Sequence, residues 1–332
     1  MPRLVVLLSM LLALNVGLVT TGGALAQEAS PAAGPCDAPK LPPGTPSAMP
    51  EGTPAAADGI EAMATPAAEA APAAEAAPAE ETEPTQLAGT PISGAEAEEA
   101  GAAVENLANC INAGDYLAVA ALLTDNFIQN FIEVPTAYDV PATFEGVQPI
   151  ATRSIGQVQT YDDGRVSVDW IYTGLFNGPG GLASERFFFV KENGYYKLDA
   201  LRGAPLPEGA LPGATVVDVQ LVDYAFALST SKIPAGPVIF RTTNTSASGS
   251  FHENVLLTYP EGTTAEALIQ GKVDIDNAST GFLGAISVEP GESADLAFEN
   301  LAAGTYFLLC GVPTEDGTPH FKLGMVAQIT VE

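Results

Sequence analysis

The chain has 332 residues, of which 40 are acidic and 12 are basic, for a formal net charge of -28. A field of that sign repels phosphates, so the composition argues against nucleic acid and anionic lipid as partners. The length allows two or three domains.

The first 26 residues contain the three parts of a secretory signal. Arg3 provides the positive start, Leu4–Leu14 is an apolar run, and Ala24–Ala26 is a small-x-small cleavage site. We therefore predict a signal peptide over 1–26 and a secreted or periplasmic mature chain without stable membrane insertion. An uncleaved anchor is the alternative, although the apolar run is short for a bilayer span and no charged stop follows it.

Residues 27–94 are low in complexity and rich in Ala, Pro and Glu. The motif at Pro66–Ala71 recurs at Pro72–Ala77, and no aromatic residue occurs in the segment. Such a composition buries too little apolar area to offset the entropy cost of ordering the chain. We predict a disordered linker that acts either as a spacer or as a tail of no particular length.

Three cysteines are present, Cys36, Cys110 and Cys310. An odd number in an oxidising compartment leaves at least one thiol unpaired, and a bound metal would account for it. Cys36 and Cys110 are able to form a disulfide, but Cys110 also fits a helical pattern as a small buried residue.

Residues 95–203 begin with helical spacing and continue with strands. Gly114 is placed to end a first helix, and Asp115 to cap a second. Alternation over Arg165–Thr173 predicts a strand, and Asn193–Gly194 predicts the hairpin turn between two further strands. We predict an α+β domain with two helices followed by an antiparallel meander.

This region resembles the NTF2-like (SnoaL-like) family. The resemblance lies in the opening helix at Val104–Asn109, the turn at Ala113–Asp115 and the closing hairpin at Phe188–Leu198. It implies a cone of sheet and helices around a pocket, which would suit a small apolar ligand.

Enzymes of that family commonly pair a carboxylate with a histidine, but no His precedes His252 in this chain. Asp125 and Asp169 are the only carboxylates that we single out. Asp125 is able to cap a turn and Asp169 to face solvent, so neither supports catalysis without a partner. We predict no catalytic residues.

Residues 214–332 have the pattern of an all-β domain. Short apolar stretches separated by turns run from Val217–Leu221 to Met325–Val331, with a turn at Pro290–Gly291. About seven or eight such strands are typical of a β-sandwich. We predict a Greek-key sandwich, and with the preceding α+β region a multidomain protein.

Four side chains with metal-binding atoms occur in this region in the order His, Cys, His, Met. The two histidines of the chain are His252 and His320, Cys310 ends an apolar stretch, and Met325 follows His320. This order resembles the cupredoxin (plastocyanin/azurin-like) family over residues 215–332. The resemblance implies one type 1 copper ion, with His252, Cys310 and His320 as equatorial ligands and Met325 as the axial ligand.

Two features depart from that family. The loop Gly311–Pro319 is longer than in small plastocyanins and contains Glu315 and Asp316. Glu253 follows the first His where many relatives have Asn, and Asn254 comes one position later. The second departure predicts a weaker hydrogen bond to the cysteine loop.

The functional interpretation leaves alternatives open. We predict a one-electron carrier of the cell envelope that meets a redox protein partner. A single buried His, Cys or Met is more often an ordinary core residue, so a metal-free accessory module that binds a ligand or partner is the alternative. A different metal at the same residues is a variant of the first hypothesis, and enzymatic turnover in the cone of the N-terminal half is the third. Two histidines are too few for the second copper centre of multicopper oxidases or nitrite reductases.

Overall fold

The structure is a computed structural model that describes residues 34–47 and 89–332 and is mostly β-sheet. The predicted signal peptide with Arg3 and its cleavage site lies outside the described residues, as does most of the predicted linker. Within the described part of the chain, no helix has the length and apolar character needed to cross a membrane.

One long helix and several short ones follow the predicted linker. They are α1 (Ala95–Asn112), α2 (Tyr116–Ala121), α3 (Asp125–Phe127), a π-helical turn (Ile128–Ile132) and α4 (Val140–Thr143). Asp115 accepts a hydrogen bond from the Ala118 N–H at 3.1 Å, so the predicted cap of α2 is confirmed. The cap of α3 is Thr124, whose hydroxyl accepts from the Phe127 N–H, whereas the sequence suggested that Asp125 caps a turn.

An antiparallel meander packs against these helices. Its strands are β1 (Thr90–Pro91), β2 (Gln148–Thr160), β3 (Val166–Leu175), β4 (Gly181–Glu192) and β5 (Tyr195–Gly203). Asn193 and Gly194 join β4 to β5 with left-handed φ values of 52° and 86°. These values are those of a two-residue hairpin turn, which confirms the prediction from the Asn-Gly pair.

Residues 215–331 form two sheets that pack face to face. The strands are β6 (Thr215–Val222), β7 (Ala225–Leu228), β8 (Lys232–Ile233), β9 (Gly236–Asn244), β10 (His252–Thr258), β11 (Gly281–Val288), β12 (Ser293–Leu301), β13 (Gly304–Leu309) and β14 (Val326–Val331), with short helices α5 (Ala265–Ile269) and α6 (Ile275–Ala278) between β10 and β11. One sheet has the order β11-β10-β13-β14-β8, and the other contains β12-β9-β6-β7. Buried side chains from both sheets, such as Phe240 and Leu308, form the core between them.

The meander and the second sheet are hydrogen-bonded into one nine-stranded sheet. Gly181–Leu182 of β4 pair with Ala297–Phe298 of β12. Beside this pairing, the Gly178 N–H donates to the Leu283 carbonyl at 2.8 Å. The two parts of the chain therefore share main-chain hydrogen bonds and support each other's surfaces.

Residues 34–47 pack on the helical region, which corrects their assignment to the disordered linker. Cys36 forms a disulfide with Cys110 of α1. The Gly34 N–H donates to the side chain of Asn109 at 2.9 Å, and Leu41 packs against the core of this half. The disulfide and these contacts offset the entropy cost of ordering residues 34–47, which their low-complexity composition cannot offset by itself.

Candidate metal centre

One end of the sandwich positions the four side chains that the sequence singled out. His252 begins β10, which lies between β11 and β13 in its sheet. Cys310 directly follows β13, and β10 and β13 are antiparallel neighbours, so the start of one strand lies beside the end of the other. His320 begins a 3-10 helix (His320–Leu323) after the intervening loop.

The loop from Cys310 to Met325 is fixed by main-chain hydrogen bonds. The Phe321 N–H donates to the Cys310 carbonyl at 2.9 Å, and the His320 N–H donates to the Val312 carbonyl at 2.9 Å. Gly324 then reverses the chain with φ 117°, a conformation that favours glycine, and the Cys310 N–H donates to the Met325 carbonyl at 3.3 Å. Met325 therefore returns to the level of Cys310 and is fully buried.

Three potential ligand atoms converge between these elements. The Nδ1 atoms of His252 and His320 are 3.1 Å apart. The Cys310 Sγ lies 3.9 Å from the first and 3.5 Å from the second. All three side chains are buried, and among the described residues they form the single group of His, Cys, Asp and Glu with metal-binding spacing.

These distances match the size of a metal ion. A circle through the three atoms has a radius of about 2 Å, and bonds from a metal to an imidazole nitrogen or a thiolate are about 2.0–2.3 Å long. Two imidazoles and one thiolate, with a thioether from Met325 nearby, are the donor set that suits both Cu(I) and Cu(II). The site fits one type 1 copper ion.

Burial sets the protonation states of the three potential ligands. It lowers the pKa of His252 to about 4, with a smaller contribution from His320, and it lowers the pKa of His320 as well. Both imidazoles are therefore neutral at pH 7 and able to donate a lone pair. Burial raises the pKa of the Cys310 thiol, and the nearby Glu253 raises it further. The thiol therefore keeps its proton at neutral pH until a bound metal ion displaces it to the solvent.

Glu253 is the unusual residue of the site. Its N–H donates to the Cys310 Sγ at 3.4 Å, so its main chain stabilises the sulfur. Its carboxyl group is fully buried without a well-formed hydrogen bond, and burial raises its pKa to about 8 against a lowering by the Gly311 N–H. The Asn254 side-chain amide donates to the Thr242 hydroxyl at 3.0 Å, so it links β10 to β9.

Solved structures that resemble part of the chain include copper proteins. Auracyanin A of Chloroflexus aurantiacus, a "blue" copper protein, is 21% identical over 36% of this chain and 100% of its own, with a TM-score of 0.24. A dithionite-reduced auracyanin of Roseiflexus castenholzii is 25% identical over 36% and 99%, with a TM-score of 0.26. Rusticyanin of Thiobacillus ferrooxidans is 16% identical over 36% and 77%, with a TM-score of 0.23. No protein-family model and no curated protein matches the chain.

Of the two carboxylates singled out in the N-terminal half, Asp169 has a structural role. Asp169 accepts two guanidinium hydrogen bonds from Arg186, at 2.6 and 3.1 Å, across the β3–β4 pair. Asp125 lies in the first turn of α3. The carboxylate that sequence reasoning missed is Glu185 of β4, which lines a large cavity. No sequence signal marked it, because only the observed register places it opposite Trp170 of β3, where opposite residues of an antiparallel pair share a face.

Proposed function

We propose that the protein is an exported one-electron carrier whose copper ion is held by His252, Cys310 and His320, with Met325 as the axial ligand. The observation that supports this proposal most directly is the convergence of two Nδ1 atoms and one Sγ atom at distances of 3.1, 3.5 and 3.9 Å. When bound, the copper supplies one-electron exchange between Cu(I) and Cu(II).

In this function the protein fixes the positions of the ligands and shields them from water. His252 and Cys310 lie at adjacent strand ends, and the Glu253 N–H binds the sulfur. Their complete burial excludes water from the equatorial positions. A site that keeps one geometry in both oxidation states needs little rearrangement when an electron moves.

The partner is proposed to meet the surface near His320. His320 is 3% exposed, its ring packs edge-on against Tyr224 at 4.9 Å, and Tyr224 is 37% exposed. Leu323, on the same 3-10 helix, is 45% exposed. An apolar surface over an imidazole ligand is suited to electron exchange, and the strongly acidic chain favours encounter with a basic redox protein.

The domain plan and location form part of the same proposal. We assign an NTF2-like α+β domain to residues 95–203 and a cupredoxin-like sandwich to 214–332, after a cleaved signal peptide and a linker. The Cys36–Cys110 disulfide supports an oxidising compartment such as the periplasm or the cell exterior.

A Cu(II) titration of the chain from Gln27 onward tests this function. We expect one equivalent to bind and to give the intense visible absorption of a thiolate–copper bond. Cys310→Ser, which changes one atom, should remove that absorption and leave the circular dichroism of the fold in place. A folded wild-type protein that binds no copper would favour the metal-free accessory module instead.

A further inference from the structure

A cavity of about 340 Å³ lies between the helices and sheet of the N-terminal half and strand β11 of the sandwich. Its size falls in the range of small-molecule sites, about 300–1,000 Å³. Trp170, Tyr172 and Phe187 line it from the meander, and Phe282 and Ile286 line it from β11. The copper proposal does not use this cavity.

The walls are aromatic on the side of the meander. The rings of Trp170 and Tyr172 stack with centroids 4.2 Å apart, and Phe187 meets Trp170 edge-on at 5.1 Å. Such rings hold an apolar body, and their faces also attract cations.

The carboxylate of Glu185 lies beside these rings. Glu185 lies opposite Trp170 in the β3–β4 pair, and its Oε2 accepts a hydrogen bond from the Tyr172 hydroxyl at 2.5 Å. Its other oxygen, Oε1, accepts no hydrogen bond from the described residues. Burial raises the pKa of Glu185 to about 7, although the Tyr172 hydrogen bond lowers it. Glu185 is partly exposed and lines the cavity, so this Oε1 oxygen is open to a ligand that provides a donor.

The charged side chains that line the cavity also favour a ligand with a cationic group. The ionisable side chains of the wall, apart from tyrosine, are Glu185, Asp199, Arg202, Glu289 and Glu292. The single cation among them, Arg202, is paired with Glu292 at 2.7 Å. The lining is therefore net negative, which disfavours an acidic ligand and favours a basic one.

We propose that this cavity binds a small amphiphilic amine, with its apolar body against Trp170 and Phe187 and its ammonium group at the Oε1 of Glu185. The sequence suggested a small apolar ligand for this half, and the carboxylate adds a requirement for a cationic donor. The inference is independent of the copper proposal, and the metal-free protein is sufficient to test it.

The test uses Trp170 as the reporter, since it is the one tryptophan of the chain and lines the cavity. The metal-free full chain is titrated with 4-phenylbutylamine, 4-phenylbutanol and 4-phenylbutyrate, which share one apolar body. We expect the amine to change the fluorescence at a concentration about tenfold lower than the alcohol, because hydrogen bonds to charged groups are stronger than neutral ones. The carboxylate should bind most weakly.

Glu185→Gln keeps the size of the side chain and removes its charge, so it should abolish the preference for the amine while the alcohol binds as before. Glu105→Gln, at an exposed position of α1, is the matched control and should bind all three probes as wild type does. Equal binding of amine and alcohol by wild type, survival of the amine preference in Glu185→Gln, or no fluorescence change with any probe would each overturn the proposal.

Discussion

The Nδ1 atoms of His252 and His320 lie 3.1 Å apart, although 68 residues separate the two histidines in the chain. At this distance the two nitrogens cannot both carry a proton, and burial keeps both rings neutral at pH 7. In the metal-free protein one Nδ1 is able to donate to the other. A metal bound by both Nδ1 atoms would move that proton to Nε2 of the same ring.

This arrangement predicts the number of protons that metal binding releases. Because the imidazoles are already neutral and burial raises the pKa of the Cys310 thiol, the proton lost at neutral pH is that of the thiol. We expect about one proton per Zn(II) ion, a redox-silent probe, measured with a pH indicator in weak buffer. The Cys310→Ser variant should release fewer protons per Zn(II) ion than wild type. A value of two or more in wild type would mean that a second group, either a charged histidine or the protonated carboxyl of Glu253, also loses its proton on binding.

The axial position predicts an ordered series of reduction potentials. Met325 is fully buried, and Leu and Gln have similar volumes. Met325→Leu removes a weak donor to Cu(II) and should raise the potential, whereas Met325→Gln offers a harder oxygen donor and should lower it. Each shift should be on the order of 59 mV, which is a tenfold change in relative affinity for one electron. Equal potentials in all three proteins would place Met325 outside the copper site.

Glu253 predicts that the metal-free protein loses stability as the pH rises. Burial raises the folded pKa of this carboxyl to about 8 from a reference value of 4.5, so the folded state binds more protons than the unfolded state between those values. The stability that protonated Glu253 contributes is fully present below the pKa of the unfolded state, and it is lost as the pH rises to the pKa of the folded state. The unfolding free energy of wild type relative to Glu253→Gln should fall by about 4 kcal/mol between about pH 5 and pH 9.

The measurement is urea unfolding of both proteins at several pH values. Glu261→Gln, at an exposed position beyond β10, is the control and should follow wild type at every pH. A difference between wild type and Glu253→Gln that is independent of pH would show that Glu253 is ionised throughout, with an unrecognised cation beside it.

The His, Cys, His and Met of the candidate metal centre were recognisable in the sequence because their order and spacing carry the signal. Strand ends bring His252 and Cys310 together, and the loop after Cys310 returns His320 and Met325 to the same end of the sandwich. Local turn chemistry was equally readable, as at Asn193 in the β4–β5 hairpin.

Features that depend on distant contacts were not recognisable in the same way. The packing of residues 34–47 rests on a disulfide between positions 74 residues apart, and their composition gave no sign of it apart from Cys36. The pairing of β4 with β12 uses main-chain groups, which every residue has, so no side-chain pattern marks it. Glu185 became notable only once the register placed it opposite Trp170 inside a cavity.

Replacing a glycine by alanine should destabilise the protein at Gly178, where the two halves are in contact, and stabilise it at Gly101 inside α1. A Cβ on Gly178 would lie 2.6 Å from the Phe282 carbonyl oxygen and 2.9 Å from the Leu283 Cα, and these main-chain atoms cannot move aside without shifting β11. Gly178→Ala should therefore destabilise the protein by about 1–3 kcal/mol. A Cβ on Gly101, inside α1, would meet Ile155 at an ordinary 3.6 Å, so Gly101→Ala should stabilise the helix by about 1 kcal/mol.

Urea unfolding of the two variants beside wild type checks both signs. Trp170 fluorescence is a suitable probe because the cavity that it lines is closed in part by β11, the strand that Gly178 contacts. If Gly178→Ala unfolds at the same urea concentration as wild type while Gly101→Ala is stabilised, the two backbones do not approach closely in solution. The wall that Phe282 and Ile286 give to the amine cavity would then lose one of the contacts that hold it against the meander.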